Sequence, residues 1–398
     1  MNLRAFPSLL HCGIALFVTL SQADDTGTAR RVIYLNMLGG MSQWESFDPK
    51  PGNGPAGLTE TPVDRLQISG WLPKSGKIMD RCLVLRSVRS GFDHVPENSQ
   101  YVRLTGYTRR ATVTHPDIGS WVKYHSPNRG PWFRIHSDVK TGSGFLPAET
   151  CGPIVIPTPQ SVQSISGDRS LWEKRNELAS AFSHLSVASL HSDGDSSRAA
   201  TRFLASEVGL TSLDWKEEAA GVQQAYGDHN FGKSCLLARR LAENADACFI
   251  EVGLDGWEAE GVDYFENTRK LCAQLDDGFS ALIADLEKRN MLEETLVIIS
   301  TEIGRTEAIT DKRRKFQLSH SCAVLAGGGI RKGIVIGETG PRGRATGKAI
   351  SPGAFNAIIA KALRIDPFET VYSPSRRPFV IGKDAKPEGI FQEVFGKD

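Results

Sequence analysis

Leu296–Arg305, LVIISTEIGR, and the earlier run Ala247–Gly261, ACFIEVGLDGWEAEG, decide how this chain is read. Each is a short apolar, β-branched run that ends in a polar cluster, EIGR in one and GLDGWEAEG in the other. Between them Leu271, Leu275, Phe279, Leu282 and Leu286 recur at three- and four-residue steps, the apolar stripe of a helix packed on a sheet. Glu266, Arg269, Lys270, Asp276 and Lys288 are assigned to its exposed face. The spacing predicts a βαβ unit with both acidic clusters at the carboxyl ends of parallel strands, where open α/β sheets bind ligands.

The same alternation extends outward. Arg31–Leu38 (RVIYLNML) reads as a first buried strand leaving through Gly39-Gly40, and CLVLRSV from Cys82 to Val88 as a second. Residues 127–165 are rich in Pro and Gly and predict strand and loop in a substrate-facing insertion, whereas 170–226 carries helical spacing. The segment GKSCLLARRLAEN reads as a helix feeding the ACFIEV strand. Cys322–Leu325 predicts a further strand, Phe355–Leu363 a helix, and YSPSRRPFVIG a closing β or loop segment. Strand and helix alternate over the last 170 residues or so, the pattern of a mainly parallel sheet with helices on its faces.

With 398 residues, 40% hydrophobic and 23% charged, the chain has the composition of an ordinary globular protein. Its 47 Lys+Arg and 46 Asp+Glu leave a net charge of +1, which gives no overall bias toward nucleic acid or an anionic membrane. Leu9–Leu20 is an apolar run of signal-peptide length followed by Ser21-Gln22-Ala23, which predicts export with cleavage before Asp24 and no stable membrane span in the mature chain. Cys82, Cys151, Cys235, Cys248, Cys272 and Cys322 then remain; no zinc-type spacing links them, and buried thiols are expected rather than disulfides.

The candidate site residues lie in the loops after the strands: Glu45 and Asp48, then Asp255, Glu258 and Glu260, then Glu302, then His320. Several carboxylates with one imidazole suit a divalent cation such as Mg, Ca, Mn or Zn. Crowding of acids in polar loops accounts for the same pattern. Ser42, after the glycine pair, is a conceivable nucleophile that a metal would have to activate, since no His or Lys is spaced as its base. Arg305 either holds an anionic substrate or forms a structural pair. The run Lys312-Arg313-Arg314-Lys315 reads as a loop that steers anions or is simply solvated. Gly327-Gly328-Gly329 lacks the GK[ST] of a phosphate loop, and Tyr372 stands where a sulfatase nucleophile would be.

Laid out in order, GGMSQWESFDPKPG, HPDIGSWVKYH, ARRLAENADACFIEVGLDGWEAEG, TEIGRT, SHSCAVLAGGGIRKG, ISPGAFNAIIAKALRIDP and YSPSRRP resemble a secreted bacterial family of the alkaline-phosphatase-like superfamily, domain-of-unknown-function family 1501, common in planctomycetes. The resemblance covers nearly the whole mature chain. It implies a single α/β sandwich over residues 24–398, with a mainly parallel central sheet and helices on both faces. It also implies a metal site of the kind used in phosphate or sulfate ester hydrolysis, acting on a small-molecule or polysaccharide anionic ester.

Against the family pattern, Glu45 and Glu258 replace aspartates, Glu260 replaces a histidine, and Ser319-His320-Ser321 loses an acid while keeping His320. Asp48, Glu302 and Arg305 are retained. Aspartate-to-glutamate exchange moves a carboxylate by one methylene, about 1.5 Å, whereas coordination tolerates only about ±0.2 Å. Two functions follow: a metal-dependent ester hydrolase with a divergent site, or a catalytically inactive relative that keeps the fold as a binding module.

Overall fold

The computed structural model describes residues 27–90, 95–161, 203, 206–259, 263–317, 319–347 and 349–396. The proposed leader and most of the stretch from 162 to 205 lie outside them.

Eight strands form the central sheet: β1 (Arg31–Met37), β2 (Cys82–Val88), β3 (Gly130–Ile135), β4 (Ile154–Ile156), β5 (Ala247–Leu254), β6 (Thr295–Thr301), β9 (Ser321–Ala326) and β10 (Ile334–Ile336). β7 (Gly304–Thr310) and β8 (Arg313–Gln317) make a separate hairpin. Across the sheet the order is β10-β2-β9-β6-β1-β5-β3-β4. β9 runs antiparallel to both its neighbours, β2 and β6, and every other pairing is parallel.

The long helices are α1 (Pro96–Thr105), α2 (Ile118–His125), α3 (Asn230–Asn244), α4 (Tyr264–Lys288), α5 (Pro352–Ala362) and α6 (Pro387–Phe395). They cover both faces, which is why the central strands read as unbroken apolar runs. Ile33, Leu35 and Met37 of β1 join the core under α3 and α4, while Val32 and Tyr34 join the core under α2 and α5. β5 and β6 split the same way, with Ile250, Val252, Val297 and Ile299 on the first face and Phe249, Leu296 and Ile298 on the second. The two halves of the βαβ unit flank β1, which pairs with β5 on one side and β6 on the other.

All five residues of the α4 stripe are buried, and Asp263 caps the helix by accepting from Glu266 N at 3.0 Å. Asp276 does not lie on the exposed face. It is buried and accepts from Lys74 N at 2.9 Å and Ser75 N at 2.6 Å, satisfying the first amides of the short helix Pro73–Gly76. The described part of the 127–165 stretch, residues 127–161, is not a separate insertion either, because β3 and β4 form one edge of the main sheet. All six described cysteines are free and buried.

Candidate functional site at the strand ends

The polar clusters do stand at the carboxyl ends of β1, β5 and β6. Chain leaving β1 turns through Gly39 and Gly40, both with left-handed backbone. A Cβ on Gly39 would sit 2.7 Å from Glu258 N, so only glycine lets the β1 and β5 exits approach this closely.

Arg305 binds these exits together. Its Nε donates to Gly40 O at 2.8 Å, Nη2 to Gly39 O at 2.7 Å and Trp257 O at 2.6 Å, and Nη1 to Arg314 O at 3.2 Å. The guanidinium also lies 4.2 Å from the Phe316 ring centroid. Its backbone is gripped by Gln43, whose amide donates to Arg305 O at 2.8 Å and accepts from Arg305 N at 2.8 Å, and by Trp44 Nε1 at 2.9 Å. All four of these donations go to backbone carbonyls, and none goes to a carboxylate.

Ser42 and Glu45 come together. The Ser42 hydroxyl donates to Glu45 Oε2, and both residues are buried. Arg314 Nε meets the same carboxylate at 2.9 Å from Oε1 and 3.1 Å from Oε2. Its other nitrogens donate to the carbonyls of Thr306, Glu307 and Asn53 and to Asn53 Oδ1 at 2.9 Å. Burial pushes the Glu45 carboxyl above its usual range, while Arg314 and Ser42 pull it back.

Arg314 therefore comes out of a basic run that reads as solvated loop. The run is instead the β7–β8 hairpin, turning at Asp311 and Lys312 with φ of 52° and 57°, the backbone of a two-residue type I′ turn. Strand alternation then sends Arg313 and Lys315 to solvent and Arg314 inward.

Asp48 is also occupied. Lys50 Nζ lies 2.7 Å and Arg86 Nε 3.0 Å from its Oδ1, and the Thr339 hydroxyl donates to Oδ2. Glu302 is buried behind β6, its Oε1 accepting from Gly39 N at 2.8 Å, with the Thr301 hydroxyl 3.1 Å from Oε2. Burial pushes its carboxyl up to about 7. That hydroxyl also reaches Met37 O at 2.8 Å, so its single proton cannot serve both oxygens.

His320 is buried with Nε2 against Gly343 O and Nδ1 2.9 Å from Ser319 Oγ, and burial lowers its pKa. Glu258 and Asp255 are exposed, and Glu260 lies outside the described residues. Among the described residues no group of three or more His, Cys, Asp or Glu side chains gathers as a metal site. A divalent ion at Glu45 would stand beside the Arg314 guanidinium, and one at Asp48 beside Lys50 and Arg86. Glu45 and Asp48 therefore do not fit such an ion, because resident cations already neutralise these two loop carboxylates.

The family described as "Protein of unknown function (DUF1501)" matches residues 29–391. No curated protein matches the chain. Among solved structures, the PsFucS1 sulfatase from Pseudoalteromonas sp. aligns with a TM-score of 0.43 and 13% identity, over 85% of this chain and 68% of that one. The lipoteichoic acid synthase LtaP from Listeria monocytogenes aligns at 0.43 and 9%, over 93% and 78%. A TAB5 alkaline phosphatase mutant with Mg bound in its M3 site aligns at 0.41 and 11%, over 85% and 99%.

Proposed function

Taking as premise that the chain belongs to the DUF1501 family of proteins of unknown function, we propose that it is an exported, non-catalytic binding module on an alkaline-phosphatase-like sandwich. The observation that carries this reading is the buried Glu45–Arg314 pair, with a guanidinium on the carboxylate that a metal-dependent hydrolase would use as a ligand. Ser42 supports it: the residue is 1% exposed and its hydroxyl donates to that same carboxylate, so an ester has no access to it. The alternative, a hydrolase holding a divalent ion on Glu45, Asp48, Glu258, Glu260, Glu302 and His320, requires Glu45 and Asp48 to leave their cations first. Export rests on residues 1–23 as a signal peptide; among the described residues no helix is long and apolar enough to cross a membrane.

The test is turnover. The mature chain is assayed on p-nitrophenyl phosphate and p-nitrophenyl sulfate with Mg, Ca, Mn or Zn supplied in turn. The expected result is no rate above that of Ser42→Ala and Glu302→Ala. A metal-dependent rate abolished in either variant would overturn the proposal.

A further inference from the structure

Outside the strand ends, a concentration of positive charge lies where two segments distant in sequence pack together. One is the loop after α1, residues 106–116 (GYTRRATVTHP), and the other is residues 371–383 (VYSPSRRPFVIGK). Arg109, Arg110, Arg376 and Arg377 are all exposed, and neither segment contains an Asp or Glu. Among the described residues, none of these four guanidiniums has a carboxylate partner. Of the flanking acids, Asp117 is paired with Arg134 at 3.0 Å, and Glu369 lies 3.5 Å from His125, an imidazole that burial holds toward its neutral form. Asp384, exposed and directly after the second segment, is an acid that acts on Tyr107. Arg109 lies 4.9 Å from the Tyr101 ring centroid and Arg377 bonds a hydroxyl, so in a chain of net charge +1 this is a local excess of charge without an ion pair among the described residues.

The patch is built on a rigid base. His115 stacks on Tyr107 with centroids 4.5 Å apart, and Phe379 meets the edges of both at 5.3 and 5.5 Å. The Tyr107 hydroxyl donates to Val380 O at 2.8 Å and accepts from Val380 N at 3.0 Å. Arg377 reaches across to Thr112 Oγ1 at 3.0 Å, tying the two segments at the surface. Arg376 sits at the tip of its turn with φ 59°, closed by Arg376 N to Ser373 O at 2.8 Å. Beside it Tyr372 is 64% exposed, among the few large apolar side chains this open.

We propose that Arg109 and Arg110 on the first segment and Arg376 and Arg377 on the second, with the exposed Tyr372 paired to Pro378 at the base of that turn, make a binding surface for an acidic polysaccharide. Planar guanidiniums match the oxygen pairs of carboxylate and sulfate groups, and an exposed aromatic face suits the apolar face of a sugar ring. A single exposed ring does not supply the successive stacking platforms that single-stranded nucleic acid uses. The surface stands whether or not the strand ends are catalytic, since it shares no residue with them.

The full mature chain is titrated with dextran sulfate, polygalacturonate and neutral dextran at low and high salt. Binding to at least one acidic polymer, none to neutral dextran, and weakening with salt are expected; the first two polymers distinguish sulfate from carboxylate. Arg109→Gln/Arg110→Gln and Arg376→Gln/Arg377→Gln should each weaken that binding by about tenfold, with thermal melting kept close to wild type. Tyr372→Ala should weaken it with the salt dependence unchanged. Affinity within twofold of wild type in both double variants would overturn the proposal, as would equal binding of neutral dextran or tighter binding of duplex DNA at matched charge. No binding of either acidic polymer by the wild-type chain, with no ester turnover, counts against this surface alone, and turnover with wild-type binding intact counts against the non-catalytic reading alone.

Discussion

Glu45 and Arg314 lie 269 residues apart in the chain and meet in the interior at 2.9 and 3.1 Å, neither side chain more than 1% exposed. A carboxylate that far from water needs a counter-charge, and a guanidinium supplies one that is permanent and directional. Removing either partner strands the other, whereas removing both does not. Arg314→Met should therefore cost about 3–5 kcal/mol. Adding Glu45→Gln in the same chain should recover part of that loss, as read by a double-mutant cycle in urea.

Glu302 predicts a pH dependence whose sign follows from its environment. Its folded pKa, pushed up to about 7, lies above the ordinary carboxylate value, so the native state holds a proton that the unfolded state has released. Its contribution to stability is fully present below about pH 4 and is lost as pH rises through about 7, on the order of 3 kcal/mol in all. His115, held down to about 4 by burial, acts in the opposite direction as pH falls below about 6.5. The clean measurement is the difference between wild type and Glu302→Gln from pH 4 to 8, in which the falling component belongs to wild type alone.

Arg305→Lys tests whether this residue is structural. A lysine cannot span the carbonyls of Gly39, Gly40, Trp257 and Arg314 together. The expected loss is about 2–3 kcal/mol of folding stability, measured by chemical denaturation, with affinity for acidic polysaccharide unchanged.

Asp276→Ala removes a cap that α4 supplies to another helix. Leaving the Lys74 and Ser75 amides without an acceptor should cost about 1–2 kcal/mol, and faster hydrogen exchange should be confined to residues near 73–78.

These residues also show where sequence reading succeeds and where it stops. β1, β5, β6 and the α4 stripe are legible because burial on both sheet faces, or on one helix face, leaves a periodic record in the local sequence. Strand-end placement of Ser42, Glu45, Asp48, Glu258 and Glu302 is legible for the same reason. Arg314 is not, since its burial depends on Glu45, which no local pattern can pair with it. The turn that directs it inward uses Asp311-Lys312 without the usual glycine; only the alternation of Arg313, Arg314, Lys315 and Phe316 hints at a strand. Asp276 is misplaced for an equivalent reason: helical spacing sets its face, but the amides it caps come from about 200 residues away.

The central claim is that resident cations occupy the carboxylates a metal would need, and metal stoichiometry tests it most directly. Purified mature protein is incubated with Mg, Ca, Mn and Zn, freed of excess ion, and its bound metal counted beside its melting temperature. The account predicts well under one equivalent of any ion and no metal-induced rise in melting temperature. One equivalent of a divalent ion, lost in both Glu302→Ala and His320→Ala, would contradict it.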